Sequence, residues 1–309
     1  MTRHYHFVQA DVFTDQPFGG NQLAVFTDAR GLTEAEMQTL ACEMNYSESA
    51  FVLPPEIPGA AKRVRIFTPA IELPMAGHPT VGTTFVLAHR GEIPLTGPST
   101  DVILQLKIGP TPITIEAGAE HGKPKFVWMT QRAPEFGDMR SDRAHVASAL
   151  GISADDIRAD LPMQVVSTGV PFLYVPIRSL EAIGRCRVNP AALQSLFEGA
   201  EPLMVYMFTT ETTARSASLH ARMFAPHVAD IPEDPATGGA AGPMGAYAAH
   251  YQMLPRQPHL RFVVEQGLEM GRPSQIHLDV RTEGEAITGV RIGGQVVIVG
   301  EGDIFWSSR

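Results

Sequence analysis

The sequence predicts an α+β protein of two similar domains, in each of which strands surround a buried central helix. Short segments rich in β-branched and aromatic residues, such as "YHFVQADVF" and "QIHLDVR", recur from one end of the chain to the other. Two segments with helical signals, "PTVGTTFVLAH" and "EDPATGGAAGPMGAYAAHY", carry almost no charge. A helix that is apolar on every side is enclosed by protein. Each predicted domain therefore wraps one such helix.

The composition favours a folded, globular protein and disfavours binding to nucleic acid or to membranes. The chain has 309 residues, of which 44% are hydrophobic and 18% charged, and its net charge is −9. An acidic chain without a Lys/Arg run is poorly suited to nucleic acid or to an anionic membrane surface. Cys42 and Cys186 lie far apart, outside any disulfide or zinc spacing. Because we find no signal sequence and no apolar run of about 20 residues, we expect a cytoplasmic protein.

The first half of the chain begins with two strands, "YHFVQADVF" and "NQLAVFTDA", separated by the turn cluster "TDQPFGG". Thr33 and Glu36 form a capping box, and apolar residues then recur at helical spacing from Met37 to Met44. Strands follow at "SESAFVLP" and "RVRIFTP". The first uncharged helix is predicted from about Pro79 to His89, before three more strands.

The second half repeats this style, with strands at "MQVVSTG", "FLYVPI", "LMVYMFTT" and "SLHARMFAP" before the second uncharged helix. Short strands close the chain. The predicted domains are residues 1–131 and 132–309, and the final strand is free to return to the first domain.

An internal repeat supports two related domains. Phe67–Gly82 aligns without a gap on Phe224–Gly239, and the matching pairs are Phe67 with Phe224, Pro69 with Pro226, Thr80 with Thr237 and Gly82 with Gly239. In both copies a strand leads through a loop into an uncharged helix. Free N–H groups and the positive end of the helix dipole lie at each helix start. Two such starts facing each other across a cleft would bind an anionic group such as a carboxylate.

Several blocks carry a family resemblance. "QADVFTDQPFGGNQLAV", "ACEMNYSESAFVLP", "RIFTPAIELPMAGHPTVGT", "VVSTGVPFLYV" and "RMFAPHVADIPEDPATGGAAGPMGAY" resemble the PhzF-like isomerases of phenazine-biosynthesis type, from about Phe7 to Gly294. The resemblance implies the diaminopimelate-epimerase fold: two pseudo-symmetric domains, each a mixed, mostly antiparallel sheet curled around a central buried helix. It also implies a homodimer that works without metal or organic cofactor.

The resemblance further implies roles for individual residues. Glu48 matches the acid/base carboxylate, and His78 and Asp234 match polar residues beside the substrate. The expected substrate-binding residues are Asn21, Gly77, Gly169, Gly238 and Gly239. One departure concerns Gly239, because family members often carry a serine after "ATG".

Each acid/base candidate also has a purely structural interpretation. Glu48 would share a strand face with apolar residues, which suits a group that takes and gives a proton, but it could equally be a solvated residue at a strand start. His78 precedes a proline and could cap a helix. Asp234 could also be a cap, and Glu233 is a rival acid beside it. Asn21 could line the site or only form a turn.

The lack of cysteine at the helix starts separates two kinds of chemistry. Proline racemase and diaminopimelate epimerase, which resemble this architecture, place a cysteine at each helix start, whereas "MAGHP" and "EDPATGG" contain none. We therefore predict an isomerase that moves a proton within a small carboxylate-bearing substrate by means of a single carboxylate. The alternatives are an inactive small-molecule binding protein of the same fold and a two-base epimerase or racemase.

Overall fold

A computed structural model describes residues 2–119, 122–199, 203–226, 228 and 231–307. The described residues form eighteen strands, six α-helices and two short 3₁₀-helices. The chain divides into two compact units, of which the first is Met1–Thr130 with Gly293–Arg309 and the second is Gln131–Ile292. Residues 293–309, which were predicted to belong to the second domain unless the final strand returned to the first, lie in the first unit.

The first unit contains nine strands and two helices among the described residues. The helices are α1 (Glu34–Met44) and α2 (Gly77–His89). The strands are β1 (Thr2–Val12), β2 (Asn21–Phe26), β3 (Glu48–Leu53), β4 (Lys62–Phe67), β5 (Glu72–Leu73), β6 (Ser99–Leu106), β7 (Gly109–Ala117), β8 (Pro124–Thr130) and β18 (Val296–Ser307).

The sheet of the first unit is mixed and mostly antiparallel. Antiparallel pairs join β18 to β1, β1 to β2, β3 to β4, β4 to β5, β6 to β7 and β7 to β8. Parallel pairs join β2 to β3 and β4 to β6. The predicted capping box of α1 is confirmed, since the Thr33 hydroxyl accepts from the Glu36 N–H and the Glu36 carboxylate accepts from the Thr33 N–H.

Helix α2 is the central helix of this unit. Every residue from Gly77 to Ala88 is buried, which confirms that an uncharged segment predicts an enclosed helix. The helix begins at Gly77, two residues before the predicted start, because proline is tolerated anywhere in the first turn, where its missing N–H is not needed. Gly82 permits close packing: a Cβ there would lie 2.6 Å from side-chain atoms of both Leu23 and Val12.

The second unit contains the remaining described elements. Its helices are α3 (Arg143–Leu150), α4 (Leu180–Arg185), α5 (Pro190–Ser195) and α6 (Gly238–His250), with 3₁₀-helices at Ala154–Asp156 and Leu268–Met270. Its strands are β9 (Glu135–Arg140), β10 (Met163–Ser167), β11 (Pro171–Pro176), β12 (Met204–Thr209), β13 (Leu219–Ala225), β14 (Ile231–Asp234), β15 (His259–Gln266), β16 (Ser274–Glu283) and β17 (Ala286–Gly294), whose last two residues belong to the first unit.

The second unit repeats the strand order of the first. Antiparallel pairs join β9 to β10, β10 to β11, β12 to β13, β13 to β14 and β15 to β16. Parallel pairs join β11 to β12 and β13 to β15. In both units a short strand leads into the central helix, α2 after β5 and α6 after β14. The predicted α+β class with two pseudo-symmetric domains is therefore confirmed.

The register of the sequence repeat does not extend to the helix starts. Its offset of 157 residues places Gly77 opposite Asp234, four residues before α6 begins at Gly238. The aligned threonines consequently have different surroundings. Thr80 lies inside α2, whereas Thr237 immediately precedes α6. The repeat thus predicts the order of strand, loop and helix but misplaces the residues that begin each helix.

Candidate active site

Three predicted site residues of the first unit converge because of the sheet topology. Asn21 is the first residue of β2 and Glu48 is the first residue of β3. These strands are parallel neighbours with Leu23 opposite Glu48, so both starts lie at one edge of the sheet. His78 is the second residue of α2 and meets them there. The sequence separates these residues by up to 57 positions, and the fold brings them together.

The three side chains form a buried polar chain. His78 Nε2 lies 3.5 Å from Glu48 Oε2, and His78 Nδ1 lies 3.1 Å from Asn21 Nδ2. The Ser47 hydroxyl donates to Asn21 Oδ1 across 3.3 Å. Glu48 is 8% exposed and His78 only 2%, so the solvated interpretation of Glu48 is wrong.

The Asn21 carboxamide sets where the proton of His78 resides. An amide nitrogen can only donate, so Nδ1 of His78 accepts, and a neutral ring then carries its proton on Nε2. That Nε2–H faces the Glu48 carboxylate. The arrangement pairs a hydrogen-bond donor with a carboxylate in a setting from which water is largely excluded, which suits reversible proton transfer.

The start of α2 has the properties of an anion site. Ala76 precedes the helix without a side-chain cap, and the first turn carries no acidic residue. The Gly77 N–H has no hydrogen-bond partner within the described ranges. The structural alternative for His78 is wrong, because Ala76 occupies the cap position.

In the second unit, Asp234 is the last residue of β14 and is 3% exposed. Its Oδ2 accepts a 2.6 Å hydrogen bond from the hydroxyl of Thr237, the residue that precedes α6. The rival acid Glu233 has another partner. It binds the guanidinium of Arg222 through both oxygens, at 2.7 and 2.8 Å. Asp234 therefore lies beside the helix start, while Glu233 is committed to an ion pair with the buried Arg222.

The glycines at the start of α6 also present backbone donors. In the part of the chain that the structure describes, the N–H groups of Gly238 and Gly239 have no hydrogen-bond partner. A Cβ at Gly239 would lie 3.9 Å from the Phe172 ring, an ordinary contact distance. Packing therefore does not exclude the serine that family members often have there.

Gly169 is connected to the same helix start through two side chains, of Thr168 and Gln131, that no sequence pattern singles out. Gly169 is exposed and has φ +139°, a conformation that favours glycine. The neighbouring Thr168 hydroxyl donates to Gln131 Oε1 across 2.6 Å, and Gln131 Nε2 donates to the Gly238 carbonyl across 3.0 Å. A buried glutamine gives no signal in a single sequence, so this connection emerges only from the fold.

Neither cysteine is placed to act as a base. Cys42 is exposed on α1. Cys186 is buried, its thiol donates to the Leu150 carbonyl, and burial raises its pKa to about 12. No group of three or more His, Cys, Asp or Glu residues that could hold a metal ion occurs within the described residues. Among the described residues, none of the helices has the length and hydropathy that a membrane span requires.

Comparison with known proteins gives consistent matches over nearly the whole chain. The model of the phenazine biosynthesis-like protein family (PhzC–PhzF) matches residues 10–302. An uncharacterized isomerase of Mesorhizobium japonicum is 36% identical over 312 residues, which cover 99% of each chain. Trans-2,3-dihydro-3-hydroxyanthranilate isomerase of Pseudomonas aeruginosa is 33% identical over 303 residues, which cover 96% of this chain and 98% of that one. The crystal structure of the Bacillus anthracis PhzF-family phenazine biosynthesis protein has a TM-score of 0.88 at 32% identity, covering 98% of this chain and 99% of that one.

The repeated mixed sheet around a buried helix, together with these matches, defines an isomerase with the diaminopimelate-epimerase type of fold. The chain belongs to the phenazine biosynthesis-like PhzF family.

Proposed function

We propose that this isomerase works without a cofactor and moves one proton within a small carboxylate-bearing substrate, with Glu48 as the single acid/base carboxylate. The observation that carries the proposal is the buried contact of Glu48 Oε2 with His78 Nε2 at 3.5 Å. A carboxylate beside an oriented imidazole can accept a proton and return it.

The proton balance of the proposed step is simple. The Glu48 carboxylate removes a proton from one carbon of the substrate, and the electron pair of that C–H bond is delocalised into the unsaturated part of the substrate. The resulting carboxylic acid returns the proton to another carbon, so the molecular formula is unchanged. His78 Nε2–H faces the carboxylate form of Glu48, which is present before the proton is removed and after it is returned. Burial of Glu48 slows exchange of the held proton with water.

Substrate binding is proposed to use backbone donors at the helix starts. The N–H groups of Gly77, Gly238 and Gly239 would bind carboxylate oxygens and stabilise developing negative charge. Asp234 is proposed to assist proton transfer. Asn21 and Gly169 remain predicted substrate-binding residues, although the Asn21 amide already binds His78 and Ser47.

The relative from Pseudomonas aeruginosa suggests the first compound to test. Its name specifies trans-2,3-dihydro-3-hydroxyanthranilate, a cyclic amino acid with a carboxylate. We propose a substrate of this class, meaning a small unsaturated ring that bears a carboxylate, acted on by a homodimer in the cytoplasm. Oligomeric state is measurable by light scattering of the purified protein.

The deciding experiment compares Glu48→Gln with wild type in heavy water. The control is Glu43→Gln, which alters an exposed carboxylate five positions away. We expect Glu48→Gln to lose turnover by about 10³-fold or more and Glu43→Gln to match wild type. In the product that the wild-type enzyme forms in heavy water, we expect the new C–H position to contain some hydrogen from the substrate as well as solvent deuterium.

Other outcomes point to the alternatives. A two-base epimerase would invert one stereocentre and fill it with solvent deuterium at every turnover. A binding protein would bind the compound without exchange. Wild-type turnover in Glu48→Gln would remove Glu48 from the mechanism.

A further inference from the structure

A buried carboxamide lies behind Asp234. Gln266, the last residue of β15, is 0% exposed. Its Nε2 donates to the Asp234 carbonyl across 2.7 Å and to Thr237 Oγ1 across 3.0 Å. Its Oε1 accepts from the Thr237 N–H across 3.2 Å and from the Tyr206 hydroxyl across 3.4 Å. One side chain thus binds both ends of the segment that connects β14 to α6.

The backbone fixes the orientation of this amide. The Asp234 carbonyl can only accept, so it requires the NH₂ group of Gln266. The Thr237 N–H can only donate, so it requires the amide oxygen. Because the amide cannot turn over without losing both bonds, its second N–H is directed at Thr237 Oγ1.

The direction of one further proton follows. Thr237 Oγ1 accepts from Gln266, and its single hydrogen is then available for Asp234 Oδ2, 2.6 Å away. The Asp234 carboxylate is therefore held as an acceptor at that oxygen. Buried networks in which every bond has a fixed direction are rigid.

The same network changes the role of Thr237 at the start of α6. Threonine in the residue before a helix normally accepts a hydrogen bond from an N–H of the first turn. Thr237 has the cap position but makes no such bond. Because its hydroxyl is engaged by Gln266 and Asp234, Thr237 does not cap the N–H of Gly239, the second residue of the helix.

The end of β15 that carries Gln266 is itself anchored. The neighbouring Glu265 binds His220 Nδ1 across 2.9 Å and accepts from the N–H groups of Thr213 and Ala214. His220 Nε2 binds Glu269 across 2.9 Å. These contacts connect the end of β15 to the loop at residues 213–214, to β13 and to the 3₁₀-helix that contains Glu269. The backbone at Gln266 is therefore held in place.

We propose that Gln266 is a positioning residue which, through Thr237, holds the Asp234 carboxylate in the orientation needed for the reaction. This inference rests on the proposed function, in which Asp234 assists proton transfer. Gln266 does not itself contact the substrate.

The test removes or keeps the Thr237 hydroxyl, the middle member of the hydrogen-bond relay from Gln266 through Thr237 to Asp234. Thr237→Val keeps the shape of the side chain but removes the hydroxyl, and Thr237→Ser restores it. We expect Thr237→Val to lower kcat about 10- to 100-fold with KM within about threefold of wild type, and Thr237→Ser to recover most of the loss. Gln266→Met should resemble Thr237→Val. If Gln266→Met does not fold, the threonine pair still decides.

A double variant separates positioning from a general structural effect. Thr237→Val should add no further loss of kcat to Asp234→Asn, because the relay then has no carboxylate to orient. Equal kcat for Thr237→Val and Thr237→Ser, or the same fold loss in the Asp234→Asn background, would overturn the proposal.

A crystallographic comparison keeps this test independent of the proposed function. In Thr237→Val the Asp234 carboxylate should rotate away from its wild-type orientation, and an unchanged orientation would refute the proposal. The proposed function is tested by a different variant: wild-type turnover in Glu48→Gln would refute it without bearing on the orientation of Asp234.

Discussion

The carboxamide of Asn21 donates to Nδ1 of His78 across 3.1 Å, and the opposite ring nitrogen faces Glu48 at 3.5 Å. One residue at the start of β2 thereby determines which imidazole nitrogen presents a proton to the candidate acid/base group. In the proposed reaction, turnover would then depend on a side chain that does not transfer a proton itself.

Exchanging the amide for a carboxylate should disrupt this arrangement. In Asn21→Asp the group facing Nδ1 becomes an acceptor, so the ring proton moves to Nδ1 and Nε2 no longer presents a proton toward Glu48. We expect kcat to fall by about 10²-fold or more, in line with the loss that wrong-tautomer variants show elsewhere. Ser47→Ala, which removes only the support of the amide oxygen, should stay within about fivefold of wild type. Steady-state kinetics and ¹⁵N chemical shifts of the imidazole would measure both effects. A wild-type spectrum with the proton on Nδ1 would contradict the assignment.

Glu233 and Asp234 should respond in opposite ways to neutralisation. Glu233→Gln leaves the buried Arg222 guanidinium without its carboxylate, so we expect a loss of about 3 kcal/mol in the free energy of unfolding with kcat near wild type. Asp234→Asn should lose kcat and change the free energy of unfolding by less than about 1.5 kcal/mol. Urea unfolding and kinetics on the same preparations would test this. A large kcat loss confined to Glu233→Gln would reverse the assignment of the assisting acid.

The His220 cluster should make stability depend on pH. Burial lowers the pKa of His220, but the carboxylates of Glu269 and Glu265 raise it by more, so the net pKa is raised. When the pKa of a histidine is higher in the folded protein than in the unfolded chain, where it is about 6.5, its protonation stabilises the fold. This stabilisation is complete below the unfolded pKa and disappears as the pH rises through the folded pKa. Burial raises the pKa of Glu269, but the hydrogen bond and the charge of His220 lower it by more, so the net pKa is lowered. The stability that this carboxylate contributes is therefore lost only when the pH falls into the acid range.

We therefore expect His220→Gln to destabilise the protein more at pH 6 than at pH 9. Urea unfolding at both pH values would measure the difference, with the exposed His145→Gln as a control that should show little change. An equal effect of His220→Gln at both pH values would mean that His220 is not charged in the folded protein.

Close packing of the central helix predicts a steric effect at Gly82. A methyl group there would lie 2.6 Å from atoms of Leu23 and Val12, so Gly82→Ala should lower the free energy of unfolding by about 1–3 kcal/mol. Gly184→Ala is the matched control, because a Cβ at this position of α4 meets nothing within 4 Å. It should be neutral or stabilising by up to about 1 kcal/mol, since alanine favours helices. Thermal unfolding of both variants would measure the difference, and a Gly82→Ala protein as stable as wild type would contradict the prediction.

Local chemistry in the sequence predicts much of this fold. The capping box at Thr33 and Glu36 depends only on residues three apart, and the absence of charge along α2 follows directly from its surroundings. The order of strand, loop and helix is likewise visible in the repeat. The exact start of α2 is not, because Pro79 fits several positions of a first turn.

Some residues of the candidate site could likewise be predicted from the sequence, and others could not. Glu48, His78 and Asp234 lie in motifs that resemble a family, so they could be named before the structure. Gln131 and Gln266 could not, because their contacts are with residues far away in the chain: Gln266 meets Asp234 across 32 positions and Gln131 meets Gly238 across 107. A glutamine that organises a buried loop has the same local pattern as a glutamine in solvent.

The pairing of β1 with β18 has a consequence for biosynthesis. Val8 lies opposite Glu301, so one partner of the first strand is made only after all of residues 131–292 have been synthesised. The continuous second unit can close while the nascent first unit still exposes an unpaired strand edge, a surface prone to intermolecular pairing. Translation rate and chaperone supply should therefore influence the yield of this protein mainly through its first unit.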